Sequence, residues 1–240
     1  MTPSHTSFLQ YPIELIIFDC DGVLIDSEII SKRVLLQMLL ELGVEISDEY
    51  FEANFLGHSF EHVTAKIFAD FNVTLASSFS QDYQTTLMQV FAEELEPTVG
   101  LEEMLSQLKV PYCVATSSSP QRVSRALEIT CIEHYFKEQV FTASEVENGK
   151  PAPDLFLHAA EKMGVLPQHC LVIEDSPAGI DGAKAAQMQV VRYAGAGHMQ
   201  QWRQPVESLV DNLTTIQNWQ DLFALAPTLN TIPNMRDKRG

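Results

Sequence analysis

The sequence predicts an α/β fold, a parallel sheet covered by helices and interrupted by an inserted all-helical domain. Short apolar runs at 13–18, 111–115, 140–142, 171–173 and 190–193 alternate with helical stretches, as parallel strands joined by crossovers do. The runs are apolar on both faces, which suits strands buried from both sides. Between the first and second runs the sequence carries helical periodicity and no convincing strand, so that block reads as an insertion. The expected division is an α/β core of 1–28 and 97–240 and a helical domain of 29–96.

Residues 1–12, with Thr, Ser, Pro and His in no periodic order, read as a loose leader. The first strand ends abruptly in acids: Ile16, Ile17 and Phe18 run into Asp19 and Asp21, followed by Gly22. The acids thus sit at the strand's carboxyl end, where open α/β sheets bind ligands. Two carboxylates on one short loop repel each other and call for a proton, a cationic side chain or a hard metal such as Mg2+. A simple turn rich in Asp and Gly is the plain alternative. After Glu28, apolar residues from Ile29 to Leu42 recur every three or four positions until Gly43 ends the helix. Segments 48–55, 59–71 and 78–95 continue the helical block.

Alternation resumes after Glu96, Pro97 and Gly100, with a helix at 101–108 and a strand that ends in Thr116, Ser117 and Ser118. Pro120 opens the next helix. A strand at 140–142 leads into a polar loop containing Lys150, and then a helix with Phe156, Leu157, Ala160 and Met163 on one face stops at Gly164. The following strand runs straight into Glu174 and Asp175. Ile180, Ala183 and Ala186 mark the helix after it, and 190–193 is the last strand. A single surface helix is expected over 213–225 and an unstructured tail beyond Pro227.

Fifteen basic residues face 32 acidic ones, a formal net charge of −17. That balance repels nucleic acid and anionic lipid, so neither is an expected partner. It allows a small anionic substrate where cations are locally concentrated. The four cysteines (Cys20, Cys113, Cys131, Cys170) show no CxxC spacing and read as reduced thiols, three of them in or beside apolar runs. With no apolar run of membrane-spanning length, the expectation is a cytoplasmic protein, monomeric or a small homo-oligomer.

Four polar clusters follow strand ends: Asp19 with Asp21, Thr116 to Ser118, Lys150, and Glu174 with Asp175. Each alone has a structural explanation as a helix cap, a surface lysine or a solvated turn. Together they supply carboxylates for a hard cation, donors for an anion and one ammonium, the inventory that phosphoryl transfer needs. The motifs DCDGVLIDSE, VATSS, GKPAPD and IEDSPAG, in that order, resemble the four motifs of the haloacid dehalogenase (HAD) superfamily. The resemblance covers roughly 13–197. It points to the branch of sugar-phosphate phosphatases and β-phosphoglucomutase, with a Rossmann-like core and a helical cap of the family's first type.

The resemblance implies a Mg2+-dependent phosphatase acting on a small phosphorylated metabolite, a sugar or sugar-acid phosphate, through an aspartyl phosphate. Asp19 would be the nucleophile, and Asp21 the acid and base that also binds the metal through its backbone carbonyl. Thr116 and the backbone around Ser117, with Ser118, would hold phosphate. Lys150 would neutralise charge, and Glu174 and Asp175 would complete the Mg2+ site. An acid at Asp21 favours ester cleavage over the family's dehalogenase and phosphonatase reactions. A mutase is the alternative, but Ser31, Leu56 and Phe60 stand where a mutase of this branch carries a His and a cationic specificity loop. Of Lys32, Arg33, His58 and His62, His58 beside Gly57 is the favoured substrate contact. A non-catalytic phosphate-binding module is the remaining reading, opposed by the intact set of Asp19, Lys150 and Asp175. Lys150 precedes Pro151, and a cis bond there could aim the ammonium at the site.

Overall fold

Four consecutive apolar residues suit a strand buried on both faces, and in the computed structural model Leu15 to Phe18 form the central strand of a sheet, fully buried. The structure describes residues 11–55, 60–201 and 213–230. Among them, β1 (Leu15–Phe18), β2 (Tyr112–Thr116), β3 (Val140–Thr142), β4 (Cys170–Glu174), β5 (Gln189–Tyr193) and β6 (Thr215–Ile216) make one sheet in the order β3-β2-β1-β4-β5-β6. Every neighbouring pair is parallel. The strand order reverses direction at β1, whose neighbours β2 and β4 flank it, so the crevice beyond its carboxyl end is the place for a ligand.

The chain divides into two units, Met1–Asp26 with Pro97–Gly240, and Ser27–Glu96. The second is helical: α1 (Glu28–Glu41), α2 (Asp48–Asn54), α3 (Phe60–Phe71) and α4 (Phe79–Glu94). Its interior holds Leu39, Ile67, Leu87 and Phe91, each without solvent exposure. Within this unit Lys32 is buried, bonded to Asp48 at 2.7 Å and set over the Phe51 ring, while Arg33 pairs with Glu94 at 2.5 Å. Gly43, at φ +78°, closes α1 in the left-handed conformation that costs glycine least.

The remaining helices belong to the α/β unit: α5 (Leu101–Gln107), α6 (Pro120–Ile129), α7 (Glu133–Phe136), α8 (Asp154–Met163), α9 (Pro177–Ala185), α10 (Gly197–Gln201) and α11 (Trp219–Leu225). On one face of the sheet, Leu15, Ile17, Cys113, Ala115 and Val172 pack with Leu155, Phe156 and Ala159 of α8 and Ile180 and Ala183 of α9. On the other, Phe18 meets the edges of Tyr112, Phe136 and Trp219, and Trp219 stacks on Tyr193 at 4.3 Å. All four cysteines are free; Cys20, Cys113 and Cys170 are buried and Cys131 is exposed.

The expectation of one surface helix over 213–225 is overturned. Thr215 and Ile216 add a two-residue edge strand, and α11 starts only at Trp219, where the Asn218 side chain accepts from Asp221 N. Trp219 and Leu222 have no exposure, so α11 is a core element. Nor is the chain unstructured from Pro227: Pro227–Leu229 forms a 3-10 turn, Leu229 is fully buried, and its carbonyl accepts from Lys109 N. Residues 1–10 of the expected leader lie outside the described residues, as do 231–240.

The chain leaves and rejoins the α/β unit at one point. Ile25 and Pro97 pair in an antiparallel bridge, and Thr98 N donates to Leu24 O at 2.9 Å. The Thr98 hydroxyl donates to Val23 O at 2.7 Å and accepts from Trp219 Nε1 at 3.0 Å.

Candidate active site

The first acid prolongs the ladder of β1, since Asp19 N donates to Ile173 O at 3.0 Å. The chain then turns sharply: the Cys20 carbonyl accepts from the amides of Val23, Leu24 and Ile25. Gly22 stands at φ +78°, and a Cβ there would lie 2.2 Å from Asp175 Oδ2 and 2.9 Å from His198 Cε1. Only glycine meets both demands, the backbone angle and the close approach. Burial pushes the Cys20 thiol well above its usual range, and its neighbours Asp21 and Asp19 push it the same way, which leaves it an inert thiol.

Three carboxylates converge beside this turn. Asp19, Glu174 and Asp175 each offer an oxygen within 4.8 Å of the others, and all three are buried. Lys150 enters from the loop after β3, its peptide bond to Pro151 cis. Its ammonium bonds Asp19 Oδ1 at 2.5 Å and Glu174 Oε1 at 2.8 Å, 5.1 Å from the centre of the Phe156 ring. The other Glu174 oxygen accepts from the amide and the hydroxyl of Ser176, at 2.8 and 2.9 Å. Ser176 also caps α9, accepting from Gly179 N at 3.1 Å. Gly179 leaves the room that Glu174 occupies, because a Cβ there would fall 1.6 Å from Glu174 Oε1.

Charge does not balance in this cluster, since three carboxylates share one ammonium. Burial raises the Asp19 carboxyl well above its ordinary 3.8; Lys150 opposes that, and Glu174 and Asp175 add to it. Asp175 rises too, first through burial and then through Glu174. Burial alone would pull Lys150 down, but Asp19 and Glu174 outweigh it and hold the ammonium charged. With the three acids ionised, the two surplus negative charges are what a divalent cation would balance, and the donors are all oxygen. A hard ion such as Mg2+ therefore fits the residues present.

The second acid is held differently. Ser118 Oγ donates to Asp21 Oδ2 at 2.6 Å, and Arg122 Nη2 bonds Asp21 Oδ1 at 2.8 Å. The Asp21 side chain thus stands outside the three-carboxylate cluster, facing the loop after β2. Thr116 is buried at the end of β2 and its Oγ1 accepts from Ser118 N at 3.0 Å, while Ser117 is exposed on the loop. So Asp19, Asp21, Lys150, Glu174 and Asp175, with Thr116 to Ser118, gather at the carboxyl edge of β1, β2 and β4 and on the loop after β3. His58 lies outside the described residues.

Two residues at this edge escaped the sequence. Arg122 is on the first turn of α6, where Ser119 Oγ accepts from its amide. His198, on α10, is buried with Nε2 3.1 Å from Asp175 Oδ2. Nothing in the local pattern marks Arg122, and His198 sits where periodicity fades; the signal available was a cation one helix opening beyond a site loop.

The family model described as haloacid dehalogenase-like hydrolase matches residues 13–187. The chain is 30% identical over 187 residues to the 6-phosphogluconate phosphatase of Escherichia coli K12, covering 78% of this chain and 85% of that one. It is 28% identical over 177 residues to the phosphorylated carbohydrates phosphatase of Thermotoga maritima, with 72% and 82% covered. A crystal structure of a HAD family hydrolase from Deinococcus radiodurans R1, with bound phosphate and sodium, superposes with TM-score 0.73 at 26% identity, over 92% of this chain and 98% of that one.

Proposed function

Because the chain belongs to the haloacid dehalogenase-like hydrolase family, we propose that it is a Mg2+-dependent phosphatase of small sugar or sugar-acid phosphates, working through an aspartyl phosphate on Asp19. The observation that carries the reading is the buried cluster of Asp19, Lys150, Glu174 and Asp175, with Asp21 separately held beside it. The substrate class is supported by relatives named for 6-phosphogluconate and phosphorylated carbohydrates.

In the first step an Asp19 oxygen attacks phosphorus, the ester P–O bond breaks, and Asp21 gives its proton to the leaving oxygen. In the second, water attacks the same phosphorus and passes its proton to Asp21, and the bond to Asp19 breaks to release inorganic phosphate. Thr116 Oγ1 accepts from Ser118 N, so its own O–H is free to donate to a phosphate oxygen, alongside the amide of Ser117. The Lys150 ammonium offsets charge between nucleophile and phosphate. Mg2+, held by Asp19, Asp175 and Glu174 and by the Asp21 backbone carbonyl, would supply charge neutralisation at the phosphoryl group. The α/β unit carries this chemistry, and the helical unit, Ser27–Glu96, serves as the cap that selects the substrate.

The test is phosphate release from a panel of sugar phosphates, sugar-acid phosphates and nucleotides with Mg2+. Turnover of sugar or sugar-acid phosphates is expected, lost on adding EDTA and lost in Asp19→Asn. No turnover of any phosphomonoester, or an active Asn variant, rejects the reading. Conversion of a hexose 1-phosphate into its isomer instead of free phosphate assigns the chain to the mutases.

A further inference from the structure

We propose that His198 is a positioning residue for Asp175, so that the segment following β5 sets the cation affinity of the site. The inference rests on the cation-binding reading above. His198 lies beyond residue 187, where the match to the family model ends, so the family resemblance does not single it out.

Asp175 follows β4 directly, and its carboxylate serves a metal only in the rotation that turns an oxygen toward Asp19 and Glu174. His198 Nε2 bonds Asp175 Oδ2 at 3.1 Å. An ionised carboxylate only accepts, so with Asp175 in the charged form that binds a cation the hydrogen of this bond is on Nε2. The imidazole is itself confined. It is buried, and its Cε1 would meet any Cβ added at Gly22, so the ring packs against the turn that carries Asp19 and Asp21. The backbone beneath it is fixed as well, because Gly197 N donates to Asp26 Oδ2 at 2.9 Å. Asp26 is the last residue of the chain before it enters the helical unit. One carboxylate at the junction therefore holds the segment, the segment holds the imidazole, and the imidazole holds the ligand. Groups that orient a metal ligand through hydrogen bonds commonly change affinity by about 10–100-fold when removed.

The test is calorimetric titration of the full-length protein with Mg2+ in the absence of substrate, so that it does not depend on turnover. His198→Phe, which keeps a ring and removes the donor, is expected to weaken Mg2+ binding by about 10–100-fold. His198→Gln, which keeps an N–H at similar reach, is expected to recover most of the loss. Where the Phe variant does not fold, His198→Leu puts the same question with less bulk, and Asp26→Ala, which frees the Gly197 amide, is expected to shift affinity in the same direction. A folded Phe or Leu variant that binds Mg2+ as tightly as the parent overturns the proposal. So does a Gln variant as weak as the Phe variant, which would make the role one of packing. Asp175→Asn separates the two levels: if it abolishes binding while His198→Phe does not, only this inference falls, whereas unchanged binding in the Asn variant removes the cation reading beneath it.

Discussion

Lys150 is outnumbered, and this has a measurable cost to the folded protein. Asp19 and Asp175 have carboxyls raised above 3.8, so the folded state keeps protons that the unfolded chain has released. By linkage, their contribution to stability falls as pH rises from about 4 through the raised values. Lys150 is raised as well, but its contribution is complete below its ordinary 10.5 and is lost only as pH rises through the higher folded value. Only the acids therefore act between acid and neutral pH. Asp19→Asn takes one charge from the surplus and is expected to raise the metal-free Tm at pH 7.5 by ~2–4 °C, the shift that about 1 kcal/mol produces in a chain of this size. The gain should shrink toward pH 4. Thermal scans of parent and variant in EDTA at pH 5 and 7.5 check this; an Asn variant less stable than the parent at pH 7.5 means the Asp19–Lys150 pair contributes more than the crowding costs.

Elements were legible where the chain is apolar on both faces. The runs at 13–18 and 171–173 read as buried strands from their apolar character alone, and the strands formed are Leu15–Phe18 and Cys170–Glu174. Two-residue β6 carries no period at all, and the burial of Trp219 depends on Tyr193 and Phe18, far away in sequence. The same holds for the site. Asp19, Asp21, Glu174 and Asp175 stand at strand ends, which a local pattern reveals, but Arg122 finds Asp21 across 101 positions. α11 earns its place by packing and by one bond, Trp219 Nε1 to Thr98 Oγ1. Trp219→Ala is expected to destabilise the protein by about 3–5 kcal/mol, read as a lower urea midpoint with an unchanged slope. A cost under ~1 kcal/mol would return α11 to the surface.

At the scale of the whole molecule, 32 acidic residues against 15 basic ones create a negative field around the site. That field draws in a divalent cation and is screened over about 8–10 Å at physiological salt. The Mg2+ dissociation constant is therefore expected to rise several-fold between ~10 and ~150 mM KCl. Calorimetry at the two salt concentrations measures it, and an unchanged constant would confine the attraction to the buried carboxylates. The pairing of Ile25 with Pro97 bears on descent rather than on binding. Where departing and returning chain meet side by side, lengthening or rewriting what lies between costs the sheet only loop-closure entropy, ~0.6 kcal/mol per doubling of length. In the proposed division of labour, lineages can then inherit the buried acids intact while the residues between 27 and 96 diverge, and an old reaction acquires new substrates without being rebuilt.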